Sequence, residues 1–172
     1  MIKNNNLKTN RLILRPSTTE DAAFFLELLN TPKWIEFIGD RNVHTIKEAE
    51  EYIKNRMLPQ YEKLGFGNYT VIRKLDGEKI GSCGLYDREG IDGVDIGFAF
   101  LPAYNNDGYG FEASKELLHA AKNTFNLKKV NAITTKENVI SQKLILKLGL
   151  IYEATIKIPN DEEELLLYNI NF

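Results

Sequence analysis

Cysteine and histidine are nearly missing from this sequence. Of its 172 residues, one is a cysteine, Cys83, and two are histidines, His44 and His119. A single cysteine excludes a disulfide bond within the chain, and these few side chains are not enough for an ordinary structural zinc site. The sequence therefore predicts a protein without a disulfide bond and without a metal ion.

Long apolar segments and a large net charge are missing as well. No run approaches the roughly 20 apolar residues that cross a bilayer, and the polar start from Met1 to Asn6 lacks the apolar centre of a signal peptide. The 22 lysines and arginines against 24 acidic residues leave a net charge of −2, which makes nucleic acid a poor partner. We therefore expect a cytoplasmic protein, monomeric or homodimeric, that binds neither nucleic acid nor a membrane.

The residues that are present are typical of one folded domain. The chain is 43% hydrophobic and 27% charged, and its length is enough to bury a core, so we predict one domain over residues 1–172. Apolar periodicity predicts an α/β fold with a mixed, mostly antiparallel sheet and helices on both faces. The predicted strands are 11–15, 68–73, 79–85, 94–100, 129–134, 152–158 and 165–170, with Tyr152 and Tyr168 in the core. The predicted helices follow Thr18, run from Thr45 to near Pro59, and span 110–124 and 141–148, while 31–41 is expected to be irregular.

The most informative stretch is the turn from Leu101 to Ala113, which joins an apolar strand to a helix. Pro102 ends the strand because it has no N–H group for a sheet, and the following Asn-Asn-Asp favours a helix start. Gly108 and Gly110 then fall in or beside the first helical turn, where each glycine costs about 1 kcal/mol relative to alanine. Backbone N–H groups without neighbouring side chains suit a phosphate. Either this turn binds a phosphate, or it is a capped helix start with one tight turn.

The strand before this turn has two different faces. Alternation puts four apolar side chains on one face, those of Val94, Ile96, Phe98 and Phe100. The other face carries an acid followed by two small residues, Asp95, Gly97 and Ala99. This pattern predicts either a groove with a carboxylate at its end, or a closely packed helix with Asp95 in solvent at the strand end.

Three patterns in this order resemble the GNAT superfamily of acetyltransferases, and within it the ribosomal-protein N-terminal acetyltransferase (Rim) group. The acetyl-CoA motif of the family, Gln/Arg-x-x-Gly-x-Gly/Ala, is matched here by residues 105–110, Asn-Asn-Asp-Gly-Tyr-Gly. The Rim group has Leu-Pro-x-Tyr before this motif and Glu-Ala after it, as at 101–104 and 112–113. Its later Asn-x-x-Ser…Lys-x-Gly-Phe pattern is matched by Asn138, Ser141, Lys147 and Gly149, with Leu150 in place of the aromatic residue.

The resemblance implies acetyl-CoA as the co-substrate and no metal. It assigns the donor site to the end of the strand and to the glycine turn, and the pantetheine arm to Asn138. The implied donor-binding residues are Phe98, Ala99, Phe100, Asn105, Asn106, Asp107, Gly108, Tyr109, Gly110, Phe111 and Asn138. Asn138 and Ser141 have a second interpretation, as caps of the short helix that follows.

The resemblance also implies how the acetyl group moves. A primary amine attacks the thioester directly, so Cys83 is interpreted as a small buried thiol and not as a nucleophile. Asp95 matches the glutamate base of the family with a carboxylate one methylene shorter, which favours a water relay. Many relatives carry a tyrosine acid at the position of Ile145, so Ser141 is the candidate acid for the leaving thiolate.

Two departures from the family pattern concern the donor turn. Asn105 replaces the usual leading residue, and Asp107 places a carboxylate where a neutral or basic residue is usual. Two unit charges about 4 Å apart interact by about 4 kcal/mol at an intermediate dielectric constant. Asp107 is therefore expected to face solvent or to cap the helix, which leaves the phosphates to the backbone amides.

The acceptor is only outlined by the sequence. Trp34 and Phe37 either line the acceptor opening or cover the edge of the core. The sequence predicts an N-acetyltransferase that moves an acetyl group from acetyl-CoA to a primary amine, in a peptide N-terminus or a small molecule. The alternative is a GNAT-like module that binds acyl-CoA or a peptide without catalysis, which Asp107 and the missing helix tyrosine favour.

Overall fold

The structure is a computed structural model that describes residues 5–172, and it contains an eight-stranded sheet with helices packed on it. The strands are β1 (Leu7–Lys8), β2 (Leu12–Pro16), β3 (Asn68–Arg73), β4 (Lys79–Asp87), β5 (Val94–Phe100), β6 (Lys129–Thr135), β7 (Ile151–Ile156) and β8 (Leu165–Asn171). The helices are α1 (Ala22–Leu29), α2 (Pro32–Phe37), α3 (Ile46–Tyr52), α4 (Leu58–Leu64), α5 (Tyr109–Asn123) and α6 (Val139–Lys147). Short 3-10 turns lie at Thr19–Asp21 and Pro102–Tyr104, and a π-helical turn at Ile53–Met57 joins α3 to α4.

The sheet order is β1-β2-β3-β4-β5-β6-β8-β7, which confirms the predicted mixed, mostly antiparallel sheet. Strands β5 and β6 are parallel, and the other neighbours pair antiparallel. Within the described residues β5 pairs with β6 at one position, Asp95 opposite Asn131, near the start of both strands. Because α5 follows β5 and α6 follows β6, both helices begin beyond the carboxyl ends of parallel neighbours. Open α/β sheets bind their ligands at such a place.

Apolar cores pack against both faces of the sheet. The larger core lies between one face and the two helices α5 and α6, and it includes Ile96 of β5 and Leu117 of α5. The smaller core joins α1 to the π-helical turn through Phe25 and Ile53, and Ala99 of β5 packs against it. Fully burying a side chain of this size contributes about 1.5–3 kcal/mol. These cores therefore hold the two groups of helices on opposite faces of β5.

The structure corrects two predictions in the helical segment. The sequence predicts an irregular stretch at 31–41, but Pro32–Phe37 forms α2, with the proline in its first turn. The helix from Thr45 is predicted to end near Pro59, yet the chain continues through the π-helical turn into α4, where Pro59 again lies in the first turn. Proline is tolerated there because the first N–H groups of a helix have no internal partner. In a sequence, such a proline looks the same as one that ends a helix.

The closing strands correct a third prediction. Tyr168 on β8 is buried as predicted, whereas Tyr152 on β7 is 53% exposed, so its predicted core position is wrong. β7 lies at the edge of the sheet, and its register with β8 shifts between Tyr152 and Ala154. A shift of this kind re-aims the side chains beside it. The alternation of residues 151–156 is therefore a poor guide to burial.

In the described part of the chain, no helix combines the length and the apolar character that a membrane crossing requires. Residues 5–172 also bring together no group of three or more histidine, cysteine, aspartate or glutamate side chains that could hold a metal ion.

Candidate active site

The glycine turn leads from β5 into α5 through two left-handed residues. After the 3-10 turn that follows β5, Asn106 and Gly108 have φ angles of 68° and 81°. Asparagine and glycine adopt this conformation at the least cost. Gly108 directly precedes the first turn of α5, so backbone geometry alone favours glycine at this position.

The first turn of α5 presents unpaired backbone donors. Among the described residues no side chain caps this helix start, and the Glu112 amide donates to the Gly108 carbonyl oxygen at 3.1 Å. The N–H groups of Tyr109, Gly110 and Phe111 precede that bond and have no partner inside the helix. Together with the positive end of the helix dipole they make a favourable position for a phosphate group.

Gly110 has a packing reason of its own. A methyl group on Gly110 would come within 3.3 Å of Leu144 Cδ2 and within 3.6 Å of Phe100 Cε2. The missing side chain therefore allows α5 to approach both β5 and α6. The turn at 105–111 therefore packs against the end of β5 at Phe100 and against the middle of α6 at Leu144. Asp95 lies at the far end of β5.

Arg11, just before β2, holds the glycine turn from outside. Its Nε donates to Glu112 Oε2 at 2.6 Å, and its Nη1 donates to the Asp107 carbonyl oxygen at 3.0 Å. Its guanidinium carbon lies 4.3 Å from the centre of the Tyr109 ring. Glu112 also accepts from the Thr9 hydroxyl at 2.5 Å and from the Arg11 amide at 2.9 Å, while the Asp107 side chain is exposed. No local pattern indicates these contacts, because 96 positions separate Arg11 from Asp107.

A surface cavity of about 600 Å3 opens beside this turn. The Phe111 ring lies at the cavity, with the ammonium nitrogens of Lys147 and Lys115 at 4.3 Å and 5.9 Å from the ring centre. Cations are attracted to the face of an aromatic ring, so positive charge from α6 and α5 collects here. The lining residues are Thr9, Arg11, Gly108, Phe111, Glu112, Lys115, Glu116 and His119.

Asp95 is buried in an ion pair. It is 1% exposed, and its Oδ1 and Oδ2 accept from Nε and Nη2 of Arg88 at 2.9 Å and 3.2 Å. Burial raises the pKa of Asp95 above its ordinary value, and the Arg88 guanidinium opposes that rise. The interpretation that places Asp95 in solvent at the end of the strand is therefore wrong.

The other interpretation predicts an open groove beside Asp95 and Gly97. In the structure, the Tyr86 ring occupies that space. A methyl group on Gly97 would come within 2.9 Å of Tyr86 Cε2, and one on Gly84, its partner across the strands, within 2.6 Å of the Tyr86 hydroxyl. That hydroxyl donates to Asn68 Oδ1 at 2.5 Å, which holds the ring against the sheet. Gly97 of β5 and Gly84 of β4 thus make room for the Tyr86 ring, and Tyr86 pairs with Asp95 across the two strands.

Asn131 faces Asp95 across the parallel strands. Its Nδ2 donates to the carbonyl oxygens of Asp92 and Val94 at 2.8 Å and 3.2 Å, which fixes the orientation of the amide. Its Oδ1 is buried and has no hydrogen-bond donor among the described residues. A buried acceptor without a donor is uncommon and is a natural position for a water or a ligand N–H group. Asn131 belongs to no sequence motif, so no local pattern predicts a functional residue at this position.

Asn138 and Ser141 lie together at the start of α6. Asn138 Oδ1 accepts from the Ser141 amide at 3.2 Å, so Asn138 caps this helix, as its second interpretation states. The Ser141 side chain is half-buried. Ile145, at the position of the family tyrosine, is 1% exposed and belongs to the larger core. This position therefore faces the interior of the protein.

The two aromatic residues proposed for the acceptor side lie on α2. Trp34 is half-buried and packs against the smaller core, and Phe37 is half-buried at the end of the helix. Trp34 therefore covers the edge of the core, as one of its two sequence interpretations states. Its indole Nε1 is buried and has no acceptor among the described residues.

Cys83 is a buried thiol, as predicted. It is fully buried on β4, with its Sγ 3.7 Å from the Ser114 hydroxyl oxygen. Burial raises the pKa of Cys83 to about 12, so the thiol stays protonated at neutral pH. A protonated, inaccessible thiol is not a nucleophile.

A sheet with one parallel strand pair and a glycine turn after the first of these strands is the fold of a class of protein, the acetyltransferases. The chain belongs to the acetyltransferase (GNAT) domain family, which matches residues 11–151. It is similar to two proteins of Bacillus subtilis, each described as an uncharacterized N-acetyltransferase. YnaD is 26% identical over 160 residues, which cover 92% of this chain and 91% of the relative. YoaA is 24% identical over 152 residues, which cover 88% and 85%.

Solved structures share the fold. An acetyltransferase from Agrobacterium tumefaciens superimposes with a TM-score of 0.83 at 20% identity, covering 100% of this chain and 97% of the other. RimL, a ribosomal L7/L12 alpha-N-protein acetyltransferase solved in complex with coenzyme A, superimposes with a TM-score of 0.81 at 14% identity, covering 97% and 98%. At these identities the likeness describes the fold alone.

Proposed function

We propose that this protein transfers an acetyl group from acetyl-CoA to a primary amine, in a peptide N-terminus or a small molecule, by direct attack on the thioester. The observation that carries the proposal is the uncapped start of α5 beyond the carboxyl ends of the parallel strands β5 and β6. A helix start of this kind favours an anionic group such as the diphosphate of acetyl-CoA.

The donor lies along β5 in this proposal. Its diphosphate binds the amides of Tyr109, Gly110 and Phe111, and its nucleotide end lies near Lys115 and Lys147 beside the Phe111 ring. From the end of β5 back to Asp95, five residues of extended chain cover about 17 Å. A pantetheine arm parallel to this strand therefore carries the thioester away from the turn and toward Asp95.

Asp95 receives the proton of the attacking amine through a water molecule. An ammonium group has no lone pair, so it must lose a proton before it attacks. Because both carboxylate oxygens already accept from Arg88 and the side chain is buried, a water is better suited than direct contact. The raised pKa of Asp95 makes it a stronger base, and Asn131 Oδ1 offers the water a second acceptor.

The acetyl transfer itself forms one bond and breaks another. The neutral amine forms a C–N bond with the thioester carbonyl carbon, and the C–S bond then breaks to release the thiolate of coenzyme A. Ser141 at the start of α6 donates a hydrogen bond to that thiolate. This interaction grows as charge develops on sulfur, so it stabilises the transition state more than the bound substrate. The thiolate is neutralised by the proton that the attacking nitrogen loses when it becomes the amide nitrogen.

A second candidate, a module that binds acyl-CoA without catalysis, is favoured by two observations. The Asp95 carboxylate is engaged by a bidentate guanidinium, and the position of the family tyrosine holds a buried isoleucine. Both candidates require acetyl-CoA binding, and they differ in turnover.

The test is the release of free thiol from acetyl-CoA with a panel of amines. The panel contains peptides with a free N-terminus, the same peptides with an acetylated N-terminus as matched controls, and small primary amines such as polyamines and amino sugars. The proposal expects thiol release with at least one amine and none with its blocked counterpart. Binding of acetyl-CoA without thiol release for any amine would favour the non-catalytic module.

A further inference from the structure

The guanidinium of Arg11 has one nitrogen that the glycine turn does not use. Its Nε and Nη1 donate to Glu112 and Asp107, whereas Nη2 makes no hydrogen bond within residues 5–172. Nη2 lies 3.4 Å from the position that a methyl group on Gly108 would take. Because the Arg11 side chain is 41% exposed, this nitrogen is available to a ligand beside the start of α5.

The charges of the turn explain why a cation is needed here. Asp107 adds a negative charge to the turn, and Asn105 adds no positive one. Glu112 is ionised at neutral pH: burial opposes ionisation, but the hydrogen bonds from Thr9 and Arg11 outweigh it and lower the pKa of Glu112. A diphosphate would meet two carboxylates near the turn. Arg11 is the cation that contacts the turn at Asp107 and Tyr109, whereas Lys115 and Lys147 lie at the Phe111 ring that follows.

We propose that Arg11 completes the donor site, with Nη2 donating to a diphosphate oxygen while Nε and Nη1 keep the turn in place. This inference rests on the proposed function and names a residue outside the glycine motif that recognises the phosphate ester of the donor. The Tyr109 ring under the guanidinium and the Glu112 carboxylate at its edge hold the fork in one orientation. A planar guanidinium can serve three acceptors at once, whereas a lysine ammonium cannot reproduce this geometry.

The experiment measures the affinity of the full chain for acetyl-CoA and for CoA by calorimetry. The variants are Arg11→Gln, which removes the charge, and Arg11→Lys, which keeps the charge but not the planar guanidinium with its several N–H donors. The matched control is Lys129→Gln, since Lys129 also pairs with a carboxylate, Glu153 at 3.8 Å, at the start of β6 and away from the turn. Arg11→Gln should weaken binding about 10- to 100-fold, the effect of losing a hydrogen bond from a charged group. Arg11→Lys should weaken it about 10-fold, and the control should match the wild type.

Two further measurements separate phosphate binding from a structural role of Arg11. Added salt should weaken acetyl-CoA binding more in the wild type than in Arg11→Gln, because the charge that salt screens is missing in the variant. Acetyl-pantetheine has no diphosphate. The rate of thiol release from acetyl-pantetheine should therefore be nearly the same in Arg11→Gln as in the wild type. A residue that only supports the fold would lower the use of both donors together.

The outcomes are distinct. Wild-type affinity in Arg11→Gln, or equal losses with acetyl-CoA and acetyl-pantetheine, would overturn this inference and leave the proposed function standing. A wild-type protein that binds neither acetyl-CoA nor CoA would overturn both. If Arg11→Gln does not fold, Arg11→Lys decides the question, and wild-type affinity in that variant would refute the need for the guanidinium.

Discussion

Replacing Asp95 by asparagine separates a proton acceptor from a residue that only attracts the amine. The change keeps the shape of the side chain and removes its charge. A base predicts a fall of about 100-fold or more in kcat, since general-base catalysis contributes about 10²–10⁴-fold. A residue that only attracts a cationic amine predicts a higher acceptor KM with kcat nearly unchanged. We expect the first result.

The structural cost of Asp95→Asn must be known before the kinetics are interpreted. Removing one partner of a buried ion pair costs roughly 3–5 kcal/mol. The Arg88 side chain is 36% exposed and the asparagine still offers one oxygen, so we expect a smaller cost, about 2–3 kcal/mol. For a domain of this size that lowers Tm by about 5–10 °C. The variant should therefore be folded at 25 °C, which circular dichroism and a thermal melt will check.

The dependence of kcat/KM on pH is the sharper assay, and Arg88→Gln is its matched control. A base works when deprotonated, so activity should fall as the pH drops through the pKa of Asp95, which burial raises. Arg88 opposes that rise, so Arg88→Gln should move this acid limb to higher pH, and Asp95→Asn should abolish it. Wild-type rates in Asp95→Asn at every pH, or an acid limb that stays in place in Arg88→Gln, would refute the reasoning.

The remaining predictions concern three other positions. Ser141→Ala should lower kcat more than it raises KM, and an unchanged kcat, measured where chemistry limits the rate, would exclude Ser141 from the reaction. Gly108→Ala should cost about 1–2 kcal/mol because its φ is 81°, and it should weaken acetyl-CoA binding; a melt and a titration at equal protein concentration will show both effects, and an unchanged melt would contradict the strain. Cys83 should resist alkylation in the native protein at pH 8 and react once the protein is unfolded. Cys83→Ala should keep thiol-release activity, and loss of turnover in a folded Cys83→Ala variant would indicate that the thiol is a nucleophile.

The sequence predicts the bounds of strands and helices correctly where turn or capping residues and the alternation of apolar residues agree. β3 and β5 have their predicted bounds, 68–73 and 94–100, because a tight Asp-Gly turn and Pro102 mark the ends of these segments. The helix predicted from Thr45 does start there, in a capping box in which the Glu48 amide donates to the Thr45 hydroxyl oxygen at 3.1 Å. Both signals act within a few residues, so the rest of the fold does not change them.

Contacts across the fold could not be predicted from local patterns. The predicted groove beside Asp95 depends on which side chain β4 places over Gly97, and β4 places Tyr86 there. Likewise, Arg11 reaches Glu112 over 101 positions because β2 and α5 meet on the larger core. The positions of these partners follow from strand register and helix packing. A single sequence does not display either.

The two glycines of the donor motif show how structural and functional requirements coincide at this site. Gly108 is favoured by its left-handed backbone, and Gly110 allows a close approach to Leu144 and Phe100. Neither reason involves a ligand, yet together they leave three uncapped amides next to a strand pair that joins only near its start. In the proposed function, the charge around this helix start distinguishes an acetyl-CoA site from a tight turn alone, and we infer that Arg11 supplies part of that charge.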